Sequence, residues 1–218
     1  MSTATERALP WRAQWARLAL CREVIARSWW ARLGWLAVAL PLALLASESS
    51  PSGSVHAADA LMASIGGAIQ GVALLGGGAV AVAATSARLS RGETSGLAWL
   101  LASRGASPAN LVVAEFAAAV LEIALRFSMF ALGVSLWVMG ETRRLASAKV
   151  FVPCLAFGAF AALLFGGLAV AAGAVSRRRA GLVVVAAIAV PSAVGVWWAI
   201  PSLLGRVWTA LAFVGGAP

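Results

Sequence analysis

At 218 residues the chain is 61% hydrophobic and only 11% charged, with a mean hydropathy of +0.90. A soluble globule carries about 25% charged residues, so that class is excluded. The formal charge of +9 invites a nucleic-acid reading, but the arginines stand in short clusters beside apolar runs and no RNA- or DNA-binding module is visible. We read the excess as flanks that set membrane topology and meet anionic headgroups, with the lipid bilayer and not nucleic acid as the partner.

Crossing a hydrocarbon core of roughly 30 Å takes about 20 helical residues. Several apolar runs reach that length, which predicts an all-α fold, a polytopic membrane helix bundle. The leader, residues 1–30, carries Arg7, Arg12, Arg17, Arg22 and Arg27 among Trp11, Trp15, Leu18, Ile25 and Trp29. The spacing of those apolar residues fits one helical face, and tryptophan beside arginine suits the headgroup zone. The leader is therefore expected to be a retained interfacial helix lying at the membrane surface; a plain basic flank is the alternative.

A first span is expected over residues 30–46, with Pro41 as a possible kink point, followed by a polar loop at 47–57. A second covers 60–84, where Gly67 and Gly71 form a small-xxx-small pair suited to close helix approach. The polar interruption 86–115 contains a short amphipathic turn around Leu97, Trp99, Leu100 and Leu101 and a Ser107-Pro108 break. A third span is expected at 111–139, a fourth at 150–175, and a fifth at 181–200 broken by Pro191. The run 207–214 is too short to cross straight and reads as a short sixth or re-entrant segment. That makes five clear spans plus one partial. An N-terminus inside puts twelve basic residues on the cytoplasmic side against four opposite, and it puts 86–115 inside too.

Glu122 and Arg126, four residues apart within the third span, share a helical face and can pair. Intramembrane charges are costly and are either paired or functional, so the pair is either a structural tie or a polar element in a substrate path or subunit interface. His56 stands alone in the outer loop, which suits an exposed histidine better than an iron ligand. Trp137, Trp197, Trp198 and Trp208 fit an aromatic belt. Cys21 and Cys154 offer neither a plausible disulfide nor metal-ligand spacing. GxSxG, HExxH and GxxxxGK[ST] motifs are missing, so we expect no catalytic residues, no metal and no cofactor. The expectation is a non-enzyme whose energy comes from a partner or a gradient.

The run Ser95-Gly-Leu-Ala-Trp-Leu-Leu-Ala-Ser103, then Ser107-Pro108, resembles ABC-2-type transporter permeases, which carry a Gly-Thr-Leu-Glu-x-Leu-Leu-x-Ser-Pro pattern between their second and third spans. In that family it forms the cytoplasmic coupling helix that docks on an ATPase subunit. Leu97, Leu100, Leu101 and Ser103 match the pattern, while Gly96, Ala98 and Arg104 replace its threonine, acid and proline. The leader is similar to the family's N-terminal elbow helix. The segment 176–191, a basic turn followed by an apolar run ending in Ala-Val-Pro, is similar to the haem-exporter B subunit of cytochrome c maturation.

The resemblance implies a cytoplasmic leader at 1–30 and a permease domain at 31–218 with a coupling segment at 86–110. It also implies a bacterial inner (cytoplasmic) membrane, an ABC ATPase partner, and a dimer with itself or a second permease. A membrane scaffold or assembly factor that docks a non-ATPase protein through 86–115 is the alternative.

Overall fold

The computed structural model describes residues 10–47, 67–86, 108–142, 148–175 and 179–193. These residues are helical throughout, apart from a bend at Ser28 and a turn at Arg179. The helices are α1 (Pro10–Arg27), α2 (Trp29–Ser47), α3 (Gly67–Ser86), α4 (Pro108–Thr142), α5 (Ala148–Val175) and α6 (Ala180–Ala193). Three of them are long and apolar enough to cross a membrane: Gly67–Ser86, Ala109–Trp137 and Cys154–Val175. Trp29–Leu44 and Ala180–Ala193 are shorter apolar helices. The seven residues before Gly67, the coupling residues Leu97, Trp99, Leu100, Leu101 and Ser103, and the expected segment 207–214 lie outside the described residues.

Local chemistry accounts for the boundaries. Proline opens both α1 and α4, where its missing N–H would have no helical acceptor anyway. At Ser28 the backbone N–H turns back to Ile25 O (3.0 Å), closing α1 with a tight turn, while Ser28 O accepts from the Arg32 N–H (3.1 Å) and starts α2. Pro41 sits inside α2, and α6 runs on through Pro191 to Ala193 instead of stopping at the proline. Within α3, residues Val72–Gly77 take a π-helical turn.

Neighbour pairs fix the directions. Arg22 meets Glu122, Ala31 meets Arg126, and Leu42 lies against Gly133, so α1 and α2 together run parallel to α4. α5 returns antiparallel, with Gly158 on Phe127 and Gly166 on Phe116 and Val120. α6 lies antiparallel to α3, with Gly181 near Val82 and Thr85 and Ile188 over Gly78. The core between them holds Ile123, Phe127, Phe130 and Val134 of α4, Phe165 of α5, Val80 of α3 and Val184 of α6.

Close approach depends on glycines other than the expected pair. A Cβ at Gly158 would fall 2.7 Å from Phe127 Cβ, and one at Gly77 would fall 2.7 Å from the Phe165 ring. Gly67 and Gly71 meet nothing within 4 Å among the described residues, so the small-xxx-small spacing is not where these helices touch. Large apolar side chains such as Leu36, Leu40, Leu75, Leu163 and Leu182 cover the exterior. An apolar exterior around internally bonded helices is the arrangement lipid requires.

The face that α1 buries also differs from the expected stripe. Cys21 and Ile25 are buried and Leu18 packs partly against the core, but Trp15 and Trp29 are 60% and 66% exposed. The leader therefore packs one narrow face on α4 and leaves Trp15 and Trp29 outward.

Candidate functional site

The buried charged side chains collect at one knot where α1, α2 and α4 meet, while Gln70 of α3 is buried elsewhere, facing α5. Glu122 and Arg126 follow one another by a helical turn on α4 and are only 2% and 1% exposed. Arg126 Nη1 donates to Glu122 Oε2 (2.8 Å) and to the Glu122 carbonyl oxygen (2.7 Å). Its Nη2 donates to Ala31 O at the start of α2 (2.8 Å), and the guanidinium lies 4.8 Å from the Trp35 ring centroid, within cation–π range. Its Nε–H has no acceptor among the described residues. Gly34 makes room for the group, since a Cβ there would stand 3.2 Å from Nε.

A second arginine completes the knot. Arg22 of α1 donates its Nε to Glu122 Oε1 (2.7 Å), with its side chain 51% exposed. Both carboxylate oxygens are thus used, one by a deeply buried cation and one by a cation that reaches the surface. Two positive charges share one negative charge. A lone carboxylate in such surroundings would be costly to hold ionised, and the two charge-assisted bonds offset that cost.

The arrangement binds the bend at Ser28 from both sides. Arg22 holds α1 just before the bend and Arg126 holds α2 just after it. The shared anchor sits near the middle of α4, whose 35 residues extend about 52 Å. The first half of α4 runs beside α1 and the second half beside α2. The knot therefore joins α4 to both segments.

Sequence reasoning singled out Glu122 and Arg126 by spacing but did not assign Arg22, Gly34, Trp35 or the Ala31 carbonyl. One signal was present. Arg12, Arg17, Arg22 and Arg27 recur every five residues, a step of about 140° around a helix, so they cannot all share an exposed face. Relative to the buried Cys21 and Ile25, Arg17 and Arg22 flank the inner face while Arg27 points away from it by the same geometry. Arg27 pairs with Glu23 on the same helix.

Cys21 is buried against this seam, and its burial, with a further contribution from the negative charge of Glu115, pushes the thiol up to about 12. No group of three or more His, Cys, Asp or Glu side chains gathers among the described residues. What the knot can do is mechanical and electrostatic: lock three helices together and carry a net positive charge to the surface at Arg22. No family model, curated protein or solved structure matches the chain.

Proposed function

We propose that the chain is the membrane-spanning permease subunit of an ABC exporter. It assembles with a copy of itself or a second permease and with an ABC ATPase in a bacterial inner membrane, with its N-terminus in the cytoplasm. The observation that supports the reading is the polar tie that joins α4 to α1 and α2. The segment resembling a coupling helix, with Leu97, Trp99, Leu100, Leu101 and Ser103, leads directly into Pro108 at the start of α4. α4 in turn holds Glu122 and Arg126, which tie it to α1 and α2.

ATPase closure pushes on the coupling segment, and α4 moves as a lever. The Glu122 knot then shifts α1 and α2 together about the Ser28 bend, which tilts the bundle between inward- and outward-facing states. Short apolar knobs on a rigid helix suit the groove of a soluble partner. The chain moves its cargo without breaking a covalent bond, and the ATP is hydrolysed by the partner. The likeness of 176–191 to haem-exporter B subunits puts haem, or a component of cytochrome c maturation, first among cargoes to test.

Leu100→Asp and Leu101→Asp each place a charge where an apolar knob enters the partner. Both should abolish co-purification of an ABC ATPase while membrane insertion stays intact. Unchanged co-purification in both variants would overturn the coupling-helix reading. Recovery of a docked protein that lacks a nucleotide-binding fold, by wild type, would favour the scaffold alternative.

A further inference from the structure

We infer that the seam between the N-terminal halves of α1 and α4 is a binding site for the headgroup of an anionic glycerophospholipid. The inference rests on the membrane location alone and is independent of ATPase docking. A cavity of about 320 Å³ opens along this seam. Its polar lining is Gln14, Arg17 and Asn110, and its apolar wall includes Leu18, Val113 and Ala114. Trp15 closes one side and is itself exposed. The lining is thus two-sided in the way a headgroup and the glycerol end of its acyl chains are two-sided.

Charge supplies the sign of the ligand. α1 carries four arginines against one acid, Glu23. Arg27 takes Glu23 and Arg22 takes Glu122. Arg17 is half-buried at the cavity and has no hydrogen-bond or ion-pair partner among the described residues. A cation partly withdrawn from water and in no direct ion pair favours an anion beside it, even with the Glu115 carboxylate close enough to act on Cys21 one turn away. The first turn of α4 lies at the same end of the cavity, and its backbone N–H groups add to the positive potential there. Trp15 places the seam at headgroup level, where tryptophan is enriched. A free phosphate would satisfy Arg17 but leave the Leu18, Val113 and Ala114 wall unfilled, so the phosphate of a lipid is the better match.

The test uses the purified full-length protein in mild detergent, titrated separately with phosphatidylglycerol, phosphatidylcholine and inorganic phosphate. Bound species are counted by native mass spectrometry. Wild type should retain one phosphatidylglycerol in preference to phosphatidylcholine. Arg17→Gln should cut that preference roughly five- to tenfold, the effect of one cation close to an anionic surface. Val113→Phe fills the cavity from an exposed position, so it should lower phosphatidylglycerol retention with an unchanged elution profile, and it decides the matter if Arg17→Gln does not fold. Arg32→Gln alters an exposed arginine of α2 outside the cavity and should leave retention as in wild type. The inference is overturned if the preference survives Arg17→Gln and Val113→Phe, if Arg32→Gln lowers it equally, or if inorganic phosphate displaces the lipid.

Discussion

Replacing Glu122 by glutamine isolates the charge of the knot from its shape. The side chain keeps its length, but one carboxylate oxygen becomes an NH2 group that faces an arginine N–H, donor against donor. Wild-type Glu122 Oε1 and Oε2 accept from Arg22 Nε and Arg126 Nη1 at 2.7 and 2.8 Å, so glutamine can serve only one of the two. More costly is the lost charge, because Arg126 is 1% exposed and cannot turn to water. Removing one partner of a buried ion pair typically costs about 3–5 kcal/mol. For a chain of this size each kcal/mol shifts the midpoint by about 2–4 °C, so Glu122→Gln should lower Tm by roughly 6–20 °C. The assay is thermal unfolding in detergent, followed by the loss of the monodisperse chromatographic peak. The double variant Glu122→Leu/Arg126→Leu removes both buried charges and should recover much of the loss, since apolar replacement of a whole buried pair is often close to neutral. A Tm within about 2 °C of wild type for Glu122→Gln would refute the account of the knot as the tie between α1, α2 and α4. Under the proposed export function, a double variant that is stable but inactive would show that the charges also serve the transport cycle.

Two further predictions concern packing and reactivity. Gly158→Ala drives a methyl to 2.7 Å from Phe127 Cβ and should destabilise by about 1–3 kcal/mol, whereas Gly67→Ala meets nothing within 4 Å and should be neutral or stabilising by up to about 1 kcal/mol; paired thermal melts check both. Cys21, with its thiol held up to about 12, should resist maleimide at pH 7–8 in the folded protein and react on unfolding. The sign for stability follows from the raised value. Below the ordinary thiol value of 9.0 both folded and unfolded chains keep the proton, and the stabilising contribution is fully present. Between 9.0 and about 12 the unfolded chain ionises first, and the contribution falls away. Cys21→Ala should flatten that alkaline decline, measured as Tm against pH.

The chain's composition and the lengths of its apolar runs are enough to predict helices long and apolar enough to cross a membrane, which the described residues form, because lipid leaves the backbone few ways to satisfy its N–H and C=O groups. The Glu122–Arg126 relation is likewise legible, since four residues of helix bring two side chains onto one face whatever surrounds them. Arg22 is different. It reaches Glu122 across 100 positions of chain, and no local periodicity encodes that meeting. In the sequence Arg22 is one of several evenly spaced arginines, and only the packing of α1 along α4 turns it inward while leaving Arg17 at an open cavity. The glycines teach the same point. Gly67 and Gly71 have the spacing of a contact and make none among the described residues, while Gly158 and Gly166, in an equally ordinary small-residue spacing with Ala162, do meet α4. Periodicity specifies which face of a helix is apolar. Which neighbour that face meets, and which charge has to be neutralised there, is decided by the tertiary structure, because pairing and close approach depend on the register between helices far apart in the chain.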